Sequence, residues 1–255
     1  MKRILFDAHL HIIDPQFPLI ENQGFLPEPF TCEDYLDKVK EVDIRGGAVV
    51  SGSFQGFDQS YLIHSLQTLG SDFVGVTQLP YDTPDEDILE LHGHGVRAIR
   101  FNVQRGGSET LSRLDYFAKR VHELAGWHAE LYIDSSSLPE IASVIENLPA
   151  VVVDHMGLSR AGFPHLLHLV DKGIRVKATG FGRVELDVPE TIQAICAVSP
   201  DALMFGTDLP STRARRPYHH DDIELIHHTL EQEQFDKVMY KNAIDWYVNR
   251  HAAQE

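Results

Sequence analysis

The 255-residue chain predicts a single α/β domain over residues 1–255, a (β/α)8 barrel with its active site at the C-terminal ends of the strands. Three observations predict it. Eight short apolar runs recur along the chain, a helix-like amphipathic segment follows each, and the repeat is about 25–30 residues, the size of one βα unit. Runs that are apolar throughout belong to strands buried on both faces, as in a parallel sheet covered by helices. A doubly wound open sheet has the same element count and is the alternative.

In chain order, the predicted strands cover residues 4–9, 47–51, 73–78, 96–102, 128–134, 150–155, 174–178 and 202–206. The predicted helices cover 33–42, 58–69, 85–92, 111–124, 138–148, 164–171, 188–197 and 221–231. Thr83 with Pro84, and Ser137 with Pro139, read as helix starts, a capping residue followed by an early proline. Residues 12–31 carry Pro15, Pro18, Pro27 and Pro29 and are expected to form a long loop over the barrel mouth. A last helix over 234–250 presents Tyr240, Ala243, Ile244 and Tyr247 as an apolar stripe for packing.

Composition narrows the function. With 43% hydrophobic residues the chain is an ordinary globular protein. No apolar run approaches the roughly 20 residues of a membrane span, and the first run stops at Asp7, so it reads as a strand and not a signal peptide. The net charge of −16 argues against nucleic acid, which requires a basic surface. An anionic substrate would need local arginines to overcome that field. Cys32 and Cys196 are too few and too far apart for a disulfide framework, and a reducing, cytoplasmic setting is expected.

The chemistry gathers at strand ends. Asp7-Ala8-His9-Leu10-His11 closes the first run, and a strand's period of two turns His9 and His11 the same way. Two such imidazoles hold a metal ion or grip a carbonyl oxygen. The sixth run ends in Asp154-His155-Met156-Gly157 and the eighth in Gly206-Thr207-Asp208-Leu209-Pro210. In a barrel, His9, His11, His155 and Asp208 therefore converge on one mouth. Arg100, at the end of the fourth strand, suits bidentate carboxylate binding, or else a salt bridge to Asp134 or Asp154. Lys177 and Arg183 follow on the seventh strand and its loop, and His128, Glu130 and Tyr132 share a face of the fifth. Arg213, Arg215 and Arg216 form a basic cluster just after Asp208, near enough to assist an anion. Arg105-Gly106-Gly107-Ser108 is a short turn and does not make a phosphate loop.

Taken together, Asp7-x-His9-x-His11, the 95–102 strand, Trp127-His128-Ala129-Glu130-Leu131, Asp154-His155-Met156-Gly157, Lys177-Ala178-Thr179-Gly180 and Gly206-Thr207-Asp208-Leu209-Pro210 stand in the order seen in amidohydrolase-related proteins of the 2-pyrone-4,6-dicarboxylate lactonase type. Asn242-Ala243 resembles that family's closing Asn-Pro element, with Ala in place of Pro. The resemblance runs from Phe6 to Tyr247. It implies a (β/α)8 barrel. Classical members hold one or two divalent metals with a strand-five histidine. Here Glu130 stands at that position, where the lactonase branch, which hydrolyses without metal, usually has Gln. Leu209-Pro210-Ser211 also departs from the aromatic-Pro-His that often follows the aspartate.

The expected activity is hydrolysis of a carboxylated lactone of sugar-acid or 2-pyrone type. Asp208 would act as general base, and His9, His11 and His155 would polarise the carbonyl. The resemblance implies carboxylate binding by Arg100 and Arg183, and Lys177 and Glu130 join them as substrate-contact candidates. No cofactor is required on this reading. The alternative is a metal-dependent amidohydrolase or decarboxylase holding Zn²⁺ or Mn²⁺ through His9, His11, His155 and Asp208. A lesser alternative is an inactive barrel that binds a small acid. The expected partner is a small anionic molecule, and oligomeric state is not legible in the sequence.

Overall fold

The computed structural model describes residues 3–250, so residues 1–2 and 251–255 of the expected 1–255 domain lie outside it. Eight strands form one parallel sheet in sequential order. They are β1 (Ile4–Leu10), β2 (Asp43–Val50), β3 (Phe73–Thr77), β4 (Val96–Asn102), β5 (His128–Tyr132), β6 (Val151–Val153), β7 (Arg175–Ala178) and β8 (Leu203–Phe205). The ring closes where Asp208 N–H donates to the His9 carbonyl and His11 N–H to the Leu209 carbonyl, both at 2.8 Å. Sequential order and closure exclude the doubly wound alternative.

The helices alternate with the strands: α1 (Cys32–Lys38), α2 (Ser60–Leu69), α3 (Asp85–Gly93), α4 (Leu114–Ala125), α5 (Leu138–Ile145), α6 (Phe163–Asp171), α7 (Val188–Val198) and α8 (Asp221–Thr229). Their apolar faces and the outward faces of the strands make the main core, with Phe117, Trp127, Leu166 and Ile195 fully buried. None of the described helices is long and apolar enough to cross a membrane.

Capping differs from expectation. Neither Thr83 nor Ser137 caps through its side chain. Thr83 Oγ1 donates back to the Pro80 carbonyl, and Asp134 takes the Ser136 N–H instead. A full capping box forms at Thr31 and Asp34. Strands β6 and β8 are also shorter than predicted, because the chain turns at Asp154–Gly157 after the first and toward the left-handed Asp208 after the second.

Two features outside the βα repeat shape the site. A closing helix begins as α9 (Gln232–Asp236) and continues through π-turns at Lys237–Lys241 and Asp245–Asn249. Its Ala243 and Tyr247 are buried in a second, interior core with Phe6, Ala8, Val50 and Val152, and Tyr247 stacks on Phe6 at 5.7 Å. The stripe is packing, as the sequence implied, and it plugs the N-terminal end of the barrel. At the other end, the 12–31 loop crosses the mouth. Ile20 N–H donates to the Phe54 carbonyl, Asn22 Nδ2 to the Arg105 carbonyl, and Arg213 to the Asn22 carbonyl.

Candidate active site

The site straddles the β1–β8 seam. Asp7 fastens that seam from below: its carboxylate accepts from the Thr207 N–H at 2.8 Å, the Thr207 hydroxyl at 2.7 Å and the Tyr35 hydroxyl at 3.1 Å. Burial raises the Asp7 pKa to about 6, against these hydrogen bonds. Gly206 is required at this seam, because a Cβ there would lie 2.5 Å from the His9 nitrogen. His9, His11 and Asp208 are thereby held side by side.

His155 and Asp208 are not strand residues. His155 sits in a turn at φ 51° and Asp208 in another at φ 59°, both left-handed conformations that cost a non-glycine residue roughly 1 kcal/mol or more. These turns bend both side chains back over the barrel axis. The His155 ring stands 5.0 Å from His9 and 4.8 Å from Tyr132. Gly180 leaves the room for this, since a Cβ would meet Arg183 Nε at 2.8 Å and His155 Nδ1 at 2.9 Å.

Asp208 is fully buried. Burial alone would raise its pKa, but Arg183 outweighs burial and, with His11, His155 and His9 alongside, holds the carboxyl well below the usual range. Arg183 Nε and Nη2 grip Oδ2 at 2.9 and 2.5 Å. Oδ1 has no hydrogen-bond partner and faces His9 Nε2 at 3.9 Å and His11 Nε2 at 3.7 Å. His11 Nδ1 lies 2.7 Å from the Val50 carbonyl, which accepts only, so Nδ1 carries a proton and donates it there. Burial pushes the His9 pKa down to about 3 and His155 well below its ordinary value, so both rings are neutral near pH 7.

Arg100 makes the salt bridge to Asp154 that the sequence offered. Its Nε and Nη2 bind Asp154 Oδ2 at 3.1 and 2.8 Å, its Nη1 binds the Ser51 carbonyl at 2.8 Å, and it still lines the cavity. Lys177 and Glu130 do not line it. Both are completely buried below the mouth. Lys177 Nζ is 2.6 Å from Glu130 Oε2, while Glu130 Oε1 accepts from the Tyr247 hydroxyl at 2.5 Å and from His128 Nε2 at 3.0 Å. Substrate contact, expected for this pair, is corrected to an internal ion pair. Burial would raise the Glu130 pKa, and Lys177 overrides it and lowers it.

Above Asp208 opens a cavity walled by His11, His155, Arg100, Arg183 and Tyr132. A second, larger hollow adjoins it and shares Arg105, Tyr132, Arg183 and Arg213. The mouth of this acidic protein is thus lined by arginines. Arg105 and Tyr132 were not singled out as site residues from sequence. Tyr132 had a signal, its period-two position after Glu130, but Arg105 sits on a turn whose direction no periodicity reports.

The residues also fit a divalent cation. One ligand atom each from His9, His11 and Asp208 lies within 4.8 Å of the others, as does a set from His9, Asp154 and His155. His9 Nε2 and Asp208 Oδ1 are buried without a partner, the condition of atoms able to accept a ligand.

Known proteins resemble the chain at several levels. A 2-pyrone-4,6-dicarboxylate hydrolase of Comamonas testosteroni is 31% identical over 162 residues, covering 59% of this chain and about half, 51%, of that relative. A 4-sulfomuconolactone hydrolase of Rhizobium radiobacter is 24% identical over 228 residues, covering 80% of this chain and 75% of the relative. The crystal structure of a probable 2-pyrone-4,6-dicarboxylic acid hydrolase from Acinetobacter baumannii shares the fold, with a TM-score of 0.82 at 20% identity over 97% of this chain and 99% of that one. The model of the family described as amidohydrolase matches residues 6–248, nearly the whole barrel, and the chain belongs to that family.

Proposed function

We propose that this chain is a lactone hydrolase that opens a carboxylated ring of sugar-acid or 2-pyrone type. The observation that carries it is the pairing of an unpartnered Asp208 oxygen, beside three histidines, with an arginine-lined cavity directly above. Asp208 Oδ1 takes a proton as water adds to the lactone carbonyl carbon. His9 and His155 supply donors to the developing oxyanion. The ring C–O bond then breaks, and the departing oxygen takes a proton from Asp208. His11, whose Nδ1 proton is held by the Val50 carbonyl, in its neutral form takes a hydrogen from the water through Nε2.

Arg183 and Arg100 bind the substrate carboxylate, assisted by Arg105 and Arg213. Arg183 also makes Asp208 a reluctant base. A substrate carboxylate that draws the guanidinium toward itself raises the proton affinity of Asp208, so binding the correct anion readies the base. The similarity to two lactone hydrolases supports this reading.

The test is ring opening of a panel of mono- and dicarboxylated lactones. The Asp208→Asn variant is expected to lose about 10²–10⁴-fold in kcat. Turnover retained by that variant would remove Asp208 from the role of base. Tight binding without turnover across the panel would favour the inactive acid-binding barrel.

A metal-dependent hydrolase is the second reading, favoured by the unpartnered His9 Nε2 and Asp208 Oδ1. His9, His11 and Asp208 would hold the ion, which when bound supplies Lewis acidity and a more acidic water. Near-stoichiometric Zn or Mn in protein purified without chelator would favour it, and a large deficit would favour the metal-free reading.

A further inference from the structure

The buried ion pair beneath the site has no role in the chemistry above, yet it reaches it through one atom. His9 Nδ1 lies 3.4 Å from Lys177 Nζ and also 3.4 Å from Asp154 Oδ1. Only one of these contacts can be a hydrogen bond to the ring as it stands. If Lys177 donates, Nδ1 is bare and the proton is on Nε2. If Asp154 accepts, the proton is on Nδ1 and Nε2 is a lone pair.

We infer that Lys177 fixes His9 as the Nε2–H tautomer and thereby makes it a hydrogen-bond donor toward the cavity instead of a metal ligand. The contact with Lys177 has hydrogen-bond geometry, whereas Asp154 Oδ1 has no hydrogen-bond partner. Donor counting agrees. The ammonium has two acceptors within hydrogen-bond distance, Glu130 Oε2 at 2.6 Å and His9 Nδ1 at 3.4 Å, while Asp154 Oδ1 at 3.8 Å is an ion-pair neighbour only. The opposite tautomer would aim an N–H at an ammonium and leave one of its hydrogens without an acceptor in a fully buried place. Glu130, held by Tyr247 and His128, anchors Lys177 in that position. Lys177 is therefore a positioning residue: it acts through His9. The tautomer stands on geometry alone, and only its use toward an oxyanion rests on the lactone reading.

The test is ¹⁵N–¹H spectroscopy of histidine-labelled protein as purified, with His9 assigned by its loss in His9→Gln. The expected spectrum has His9 protonated on Nε2 and bare on Nδ1. In the double variant Lys177→Met/Glu130→Gln, which removes the buried pair together, the proton is expected to move to Nδ1, with Asp154 as acceptor. Titration with Zn²⁺ alone should then show at least tenfold tighter binding than in the unaltered protein. An Nδ1–H signal in the unaltered protein overturns the proposal, whether or not the double variant folds. So does a double variant that keeps Nε2–H, or whose Zn²⁺ affinity stays within twofold. None of these readouts uses turnover, so failure here is separable from failure of the lactone assignment.

Discussion

The two oxygens of Asp208 face different groups: Arg183 binds Oδ2 while Oδ1 faces His9 and His11. One oxygen keeps the group ionised and the other is left for chemistry. Arg100 illustrates the opposite economy, since most of its guanidinium is spent inside the protein. As a binder of the substrate carboxylate, Arg100 replaced by Met would chiefly raise KM. The structure adds a larger effect. Removing Arg100 leaves Asp154 ionised and buried, so the variant is expected to lose about 3–5 kcal/mol of stability, read as a lower urea midpoint. A midpoint unchanged within error would show that Lys177 and His9 already suffice for Asp154.

Between elements, the β1–β8 seam positions the site. It is made of backbone bonds, the Asp7 contacts and the close approach of Gly206 to His9. Gly206→Ala is expected to push the strands apart, at a cost of about 1–3 kcal/mol in stability. Displacement of His9 against Asp208 should lower kcat/KM by about 10²-fold for any accepted lactone. The comparison that decides is Gly93→Ala, at the exposed end of α3, where the backbone is not left-handed and a Cβ meets nothing within 4 Å. It should leave kcat/KM within about twofold, and an equal activity loss in both would detach the seam from the chemistry.

Over the whole molecule, buried neutral histidines govern the response to acid. The folded-state pKa is lowered for His9 (to about 3), His155 and His128, in each case chiefly by burial. The unfolded chain therefore binds protons below about pH 6.5 that the folded chain refuses. Each such histidine removes roughly 1.4 kcal/mol per pH unit as the pH falls through that window. Asp7 has the opposite sign. Its pKa is raised to about 6, so its contribution is present below the unfolded value of 3.8 and is lost as pH rises through 6. Three histidines against one carboxyl leave stability falling on acidification. The urea midpoint is expected to drop between pH 7 and pH 5, and a midpoint that holds or rises would mean these rings titrate normally.

The barrel and the identity of the convergent set follow from residue order alone. Apolar runs at a βα repeat leave few ways to bury both faces of every strand, and strand ends of one polarity must meet at one mouth. His9, His11, His155 and Asp208 were legible for that reason. Periodicity gives the face of a strand residue, but not its depth along the barrel axis or its partner across it. Tertiary structure alone decided that Lys177 and Glu130 lie beneath the cavity as a pair, that Arg183 grips Asp208, and that His155 and Asp208 stand on left-handed turns beyond their strands. It also brought Arg105 and Tyr132 to the mouth. These are contacts between residues far apart in the chain, and the choice among possible ion partners is made by distance and desolvation, which exist only once the barrel has closed.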